Sequence, residues 1–188
     1  MEKKALEKIF KEKALEKVSM ELSPGLEVDH YFNMKAVTLS PEGLFLCGKI
    51  LYKAVRKWDG EAVAGIIPSG VPLVSAIALE GYKRGRELPA LLVRRETKES
   101  TDDWIEDPRG ISPGTKVVLV EDIIATGQST LKALEKLFFK NYKVEHVVCL
   151  VDRELGAEEL LASQNITLKA VFKSRELLGS QEEQDEMS

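Results

Sequence analysis

The chain contains few of the residues on which disulfide frameworks and histidine metal centres depend. Its 188 residues include only two cysteines and two histidines. Cys47 and Cys149 both lie in apolar runs, which is typical of buried core cysteines rather than of a disulfide or a metal pair. Two histidines exclude a histidine-rich metal centre. From this cysteine usage we expect a reducing, cytoplasmic compartment.

Long apolar runs and basic blocks are also missing from the sequence. No apolar stretch approaches the roughly 18 residues of a membrane span. The N-terminus "MEKKALEKIFKEKALEKV" is charged throughout and lacks the apolar segment of a signal peptide. A net charge of -4 without a long run of Lys and Arg gives no electrostatic footprint for nucleic acid. These absences predict a globular protein that binds neither membranes nor nucleic acid.

The charged N-terminal segment is predicted to form an amphipathic helix. Its apolar residues fit one face of a helix, where they would pack against a core. These residues are Leu6, Ile9, Phe10, Leu15 and Val18.

Strand and helix patterns alternate through the rest of the chain. Ser40 and Pro41 are typical of an N-cap and a first helical position, so a helix is predicted to begin there. Further helices are predicted over residues 70–85 and 128–140, and strands over residues 61–68, 89–96, 116–121 and 143–152. This alternation favours an α/β fold with a parallel sheet flanked by helices. The acidic residues 179–188 are predicted to be a disordered tail.

The stretch "VVLVEDIIATGQST", residues 117–130, carries the clearest chemical signal. A short buried strand ends in Glu121 and Asp122, and a small, polar turn then opens a helix. The backbone amides of such a turn bind anions, especially phosphate. Carboxylates beside a phosphate are repulsive unless ribose hydroxyls or Mg²⁺ lie between them. A sugar phosphate satisfies both halves of the motif.

This motif resembles the phosphoribosyl-pyrophosphate (PRPP) motif of the type I phosphoribosyltransferases. Over residues 25–178 the chain is most similar to the orotate phosphoribosyltransferases, through "YFNMKAVTLSPEGLFLCGKILY", "LPALLVRRETKES" and "LVDRELGAEELL". The resemblance implies a type I phosphoribosyltransferase fold in a single domain over residues 1–178. Its small N-terminal hood would span about residues 1–40, and its core about residues 41–178.

The resemblance also implies an activity, namely transfer of ribose 5-phosphate from PRPP to orotate in pyrimidine biosynthesis. It implies Mg²⁺ carried by PRPP, with Asp122 reached through water and no direct protein ligand. It further implies a homodimer in which the loop after Arg95 completes the neighbouring site. The implied residues are Glu121 and Asp122 for the ribose; Ala125, Thr126, Gly127, Gln128 and Ser129 for the 5′-phosphate; Arg94, Arg95 and Lys98 for pyrophosphate, the last two being catalytic; and Tyr31, Phe32 and Arg153 for orotate.

Five positions depart from the family pattern. Arg95 and Ser100 replace a lysine and a histidine of the loop, Ala125 and Ser69 stand where many members have threonine and lysine, and Gln128 replaces a frequent glycine or threonine. Two alternatives therefore stay open: transfer to another base, or a PRPP-binding regulatory protein without transfer activity. The sequence also leaves open whether Trp104 covers the site or contacts another subunit.

Overall fold

A computed structural model describes residues 1–23, 26–95, 104–107 and 110–185 of the chain. The helices are α1 (Glu2–Lys13), α2 (Met34–Thr38), α3 (Pro41–Lys57), α4 (Gly70–Lys83), α5 (Gln128–Phe139), α6 (Ala157–Ala162) and α7 (Ser174–Asp185). The strands are β1 (Leu15–Ser23), β2 (Leu26–Phe32), β3 (Ala62–Ile66), β4 (Ala90–Val93), β5 (Ile105–Glu106), β6 (Lys116–Ile124), β7 (Lys143–Asp152) and β8 (Thr167–Lys173).

The central sheet has the strand order β5-β4-β3-β6-β7-β8. All neighbouring pairs in it are parallel except β4 and β5, which are antiparallel. Helices connect the parallel strands, as the βαβ pattern of the sequence requires. The predicted α/β fold with a mainly parallel, helix-flanked sheet is confirmed.

Both faces of the sheet are buried, which explains the continuous apolar run at residues 117–120. Side chains alternate between the two faces of a strand. Val118 and Val120 pack in the core that contains α1, α3 and α4, whereas Val117 and Leu119 pack in the core that contains α5 and α6. A strand covered on both faces is apolar at every position.

The N-terminal helix is shorter than predicted. Helix α1 buries Leu6, Ile9 and Phe10 but ends at Lys13, so the placement of Leu15 and Val18 on its apolar face was wrong. Both residues lie in β1, where Leu15 is opposite Phe32 of β2. The reason is tertiary: the Asn33 N–H donates to the Ala14 carbonyl at 2.7 Å, which ties the strand pair to the end of the helix.

Three other sequence predictions have different outcomes in the structure. Helix α3 begins as predicted, with the Ser40 Oγ accepting from the Gly43 N–H at 3.1 Å. Strand β6 does not stop at residue 121 but continues to Ile124, because Ile123 and Ile124 pair with β7. Helix α7 continues to Asp185, into the segment expected to be disordered, and its Leu177 is completely buried.

None of the helices among the described residues combines the length and the apolar composition that a membrane span requires.

Candidate active site

The carboxyl ends of β3, β6 and β7 meet at one edge of the sheet. From β3 the chain moves outward to β4 and β5, and it returns to β6 on the other side of β3. Such a reversal opens a crevice between the two strands, which is where open α/β sheets bind ligands. The residues that follow β3 and those at the end of β6 therefore face a common crevice.

Glu121 and Asp122 lie at this crevice, inside the extended β6. Glu121 is only 4% exposed, and its Oε1 accepts a hydrogen bond from the Thr130 hydroxyl of α5 at 3.2 Å. Asp122 accepts from the Ile123 N–H at 2.9 Å and from the side chain of Ser69, which follows β3. Because successive strand residues point to opposite faces, the two carboxylates are held from opposite sides, Glu121 by α5 and Asp122 by the residue that precedes α4.

Removal from water disfavours the charged form of both carboxyl groups. Desolvation, with a smaller contribution from the neighbouring Asp122, raises the pKa of Glu121 to about 8. Desolvation also raises the pKa of Asp122, against the hydrogen bonds from Ile123 and Ser69. The positive charge of Arg95 acts on both carboxyls and lowers their pKa values. Further hydrogen-bond donors or cations beside the pair would therefore favour its ionised form.

The turn after β6 is shaped for close approach to an anion. Gly127 has φ +79°, a conformation that favours glycine, and a Cβ there would lie 3.3 Å from Ala157 of α6. Gly127 is the N-cap of α5 and contributes no side-chain cap. The first amides of α5 therefore face the crevice together with the exposed side chains of Thr126 and Ser129. Ala125 and Gln128 complete this loop, so the five predicted phosphate residues are contiguous at one helix terminus.

A cleft of about 440 Å³ lies at the end of β7, beside this crevice. Val28, Asp29, His30 and Phe32 of β2 line one side, and Arg153, Leu155, Ser174 and Leu178 line the other. Arg153 is the main polar group: its Nη2 donates to the His30 carbonyl at 2.9 Å, and its guanidinium lies 5.6 Å from the centre of the Phe32 ring. Its backbone N–H donates to the carbonyl of Ile124 at 2.8 Å, which joins the cleft to the end of β6.

The two aromatic residues predicted to contact a base are placed differently. Phe32 lines the cleft but is only 3% exposed, and its ring packs against the Arg153 guanidinium. Tyr31 is 39% exposed and does not line the cleft. His30 also lines the cleft, and its Nδ1 lies 2.8 Å from the Asp29 carboxylate. No local pattern could have shown this, because the contact with Arg153 joins residues far apart in sequence.

The basic residues after β4 divide into two groups. The Arg94 guanidinium forms an ion pair with Glu106 of β5. Arg95 is exposed and lines a cleft of about 260 Å³ with Ser129, Lys132 and Lys136 of α5. Lys98 and Ser100 lie outside the described residues. Arg94 and Arg95 therefore both line the cleft that contains Ser129, and Arg95 is the more exposed of the two.

Comparison with known proteins agrees with this geometry. Residues 33–174 match the model of the phosphoribosyl transferase domain family, which covers more than half of the chain. The chain belongs to the phosphoribosyltransferase family. The match includes β3, β6, β7 and the loops at their carboxyl ends, so the whole crevice lies within the family domain of this phosphoribosyltransferase.

Individual relatives cover the phosphoribosyltransferase almost completely. It is 37% identical over 179 residues to the orotate phosphoribosyltransferase of Sorangium cellulosum, covering 94% of this chain and 93% of the relative. The Mycobacterium tuberculosis orotate phosphoribosyltransferase in complex with Fe(III) dicitrate superposes with a TM-score of 0.81 at 26% identity, covering 95% of this chain and 99% of that one. The same enzyme in complex with PRPP gives a TM-score of 0.76 at 25% identity, covering 94% and 99%.

The raised pKa of Glu121 predicts a pH-dependent stability. Between about pH 4.5 and 8 the folded state holds a proton on Glu121 that the unfolded state has lost. The free energy of unfolding should therefore fall as the pH rises through this window, by up to about 5 kcal/mol from this group. Urea unfolding of the wild type and of Glu121→Gln from pH 5 to 8.5 measures the difference.

The variant that cannot titrate should gain stability relative to the wild type as the pH rises. Glu145→Gln, which changes an exposed residue of β7, should run parallel to the wild type throughout. Parallel curves for Glu121→Gln as well would show that Glu121 is ionised in the folded protein across the whole window.

Proposed function

We propose that this phosphoribosyltransferase is an orotate phosphoribosyltransferase. It transfers the ribose 5-phosphate of PRPP to orotate, giving orotidine 5′-monophosphate and pyrophosphate, in pyrimidine biosynthesis. The observation that carries the proposal is the position of Arg153, a guanidinium in a cleft joined directly to the crevice of Glu121 and Asp122. The near full-length similarity to orotate phosphoribosyltransferases supports the same activity.

The sugar phosphate is bound by the end of β6 and the turn after it. In the proposed complex, Glu121 and Asp122 accept hydrogen bonds from the ribose hydroxyls, and residues 125–129 surround the 5′-phosphate. Donation by the hydroxyls stabilises the ionised carboxylates, which burial alone disfavours. The positive end of α5 contributes to binding the phosphate dianion. This half of the site depends on backbone amides and two acidic side chains, all within one strand–turn–helix unit.

Orotate is bound in the cleft beside β2. The carboxylate of orotate matches the planar fork of the Arg153 guanidinium, which can form two parallel hydrogen bonds with it. Phe32 packs against Arg153 and restricts its orientation, while the carbonyl of His30 holds one of its N–H groups. Burial lowers the pKa of Arg153 but leaves it cationic at neutral pH. A neutral base would offer this half-buried cation no carboxylate.

The transfer step needs stabilisation of the leaving group more than a base. A ring nitrogen of orotate forms a bond to C1 of PRPP, the bond from C1 to the pyrophosphate oxygen breaks, and the proton of that ring nitrogen passes to the departing pyrophosphate or to water. Because the leaving pyrophosphate can accept this proton, this chain with two histidines needs no separate strong general base. Arg95 and Lys98 are proposed to stabilise the negative charge that gathers on pyrophosphate. Arg94 is proposed to hold the strand end beside them through Glu106.

The donor groups of the crevice fit a magnesium ion that arrives with PRPP. Among the residues that the structure describes, no group of three or more His, Cys, Asp or Glu side chains could hold a metal. Mg²⁺ commonly binds through substrate phosphates, several waters and one or two carboxylates, and Asp122 offers such a carboxylate. When bound, the ion would neutralise charge on the pyrophosphate oxygens.

We also propose a homodimer formed through α3 and α4. Phe45, Leu79 and Tyr82 on these helices are 52%, 55% and 78% exposed, and a largely apolar groove of about 290 Å³ runs between the helices. Exposed apolar side chains concentrated on one face are typical of association surfaces.

A cytoplasmic location is proposed from the two cysteines, which are both buried and free.

The activity is tested by the fall in orotate absorbance when the protein meets orotate, PRPP and Mg²⁺. Asp122→Asn should lower kcat/KM by about 100-fold, because it removes a charge-assisted contact to the ribose. Glu145→Gln should retain wild-type turnover. PRPP binding measured by calorimetry without any turnover of orotate would contradict the proposal and point to another base or to a regulatory role.

Base recognition is tested at Arg153. Arg153→Ala should raise the KM for orotate by about 10- to 100-fold, the usual loss for a charge-assisted hydrogen-bonding pair. The dissociation constant of PRPP, measured without orotate, should change less than about threefold. Arg153→Lys keeps the charge and should restore only part of the affinity, since an ammonium cannot bind a carboxylate in two parallel bonds. Equal losses for PRPP and orotate would argue against this assignment.

The proposed dimer is tested by placing a charge in the groove. Leu79→Glu should shift the mass found by light scattering during gel filtration from a dimer to a monomer, because it buries an unpaired carboxylate at the interface. Phe138→Glu adds the same charge at a 43% exposed position of α5 and should leave the dimer intact. A dimeric Leu79→Glu variant would place the interface elsewhere.

A further inference from the structure

The side chain of Lys136 contacts the chain on both sides of residues 96–103. Its Nζ donates to the carbonyl of Arg94 at 2.7 Å and to that of Arg95 at 3.0 Å. The same ammonium lies 4.1 Å from the centre of the Trp104 ring. An ammonium has three donors, and here two are taken by carbonyls while the cation faces an aromatic ring.

Among the described residues, the other contacts of this segment hold the neighbours of Arg95 rather than Arg95 itself. Val93 pairs with Ile105 across β4 and β5, and the Arg94 N–H donates to the carbonyl of Trp104 at 2.9 Å. The Arg94 side chain is bound to Glu106. Arg95 follows the last paired residue of β4, and the hydrogen bond from Lys136 reaches its backbone directly. That bond therefore determines where the exposed Arg95 side chain begins.

Lys136 also belongs to the helix that presents the phosphate loop. Ser129, Lys132 and Lys136 recur at helical spacing on one face of α5, and together with Arg94 and Arg95 they line the cleft of about 260 Å³. A single rigid helix thus carries the phosphate-binding amides at its N-terminus and holds Arg95 two turns later. The distance between Arg95 and the phosphate loop is set by this helix.

We propose that Lys136 is a positioning residue, which places Arg95 against the pyrophosphate end of PRPP by joining the Arg94–Arg95 backbone and the Trp104 ring to α5. The inference rests on the proposed function, since it gives Arg95 the leaving group as its target. The assignment also accounts for Trp104, whose indole covers the Lys136 ammonium. Half-burial of that ammonium, with its pKa lowered by desolvation, agrees with a contact role rather than a solvated surface charge.

The kinetic test compares Lys136→Met with Lys132→Met. Methionine keeps the length of the side chain and removes its donors and charge. Lys136→Met should lower kcat by about 10- to 100-fold, while the dissociation constant of PRPP changes less than about threefold, because the ribose and 5′-phosphate contacts remain. Lys136→Arg should recover part of kcat. Lys132→Met removes the same charge one turn earlier, and an equal loss of kcat in this variant would overturn the proposal by showing a general charge effect.

A second measurement is independent of catalysis. In a Trp58→Phe background, Trp104 is the remaining tryptophan, and its emission should shift in Lys136→Met and return towards the wild type in Lys136→Arg. Unchanged emission together with wild-type kcat in Lys136→Met would overturn the proposal. Absence of turnover in the wild type with the expected emission shift would instead contradict the proposed activity, so the two failures are distinguishable.

Discussion

A pair of adjacent, desolvated carboxyl groups near the end of a central strand is the constraint on which the rest of the site depends. Glu121 is buried and Asp122 is partly buried; desolvation raises the pKa of both, and the charge of Asp122 raises the pKa of Glu121 further. The protein offsets this with groups from three directions: Thr130 of α5, Ser69 after β3, and the charge of Arg95. Each offsetting group also lines or adjoins the crevice. The groups that reduce the electrostatic cost of the pair are therefore the same groups that surround the crevice.

The parallel sheet is what brings these groups together. Parallel strands end at the same edge, so loops that are distant in sequence become neighbours. Residues 65 and 70 show how tightly this is built: a Cβ on Gly70 would lie 2.7 Å from the Gly65 backbone, so only glycine lets α4 begin close enough for Ser69 to reach Asp122. Helix α5 does the same on the other face, where Thr130 reaches Glu121.

The parts of the fold that the sequence predicted are those governed by local rules. The start of α3 follows from an N-cap serine and a proline, and α5 begins at Gln128 as expected from the turn before it. The errors come from long-range contacts. Leu15 and Val18 fit a helical face, but pairing with β2 takes them into a strand, and β6 is lengthened by β7. The motif predicted the strand–turn–helix unit that carries Glu121, Asp122 and residues 125–129, whereas the positions of His30 and Trp104 depend on tertiary contacts that no local pattern encodes.

The close approach of Gly127 to Ala157 makes the turn after β6 part of the packed core. A Cβ at position 127 would lie 3.3 Å from Ala157 of α6, so this turn tolerates little added volume. The cleft of Arg153 takes its other wall from β2, which together with β1 forms a separate two-stranded sheet. Under the proposed function, substitutions in that hairpin change the wall of the base cleft and leave the packing of the turn after β6 unchanged.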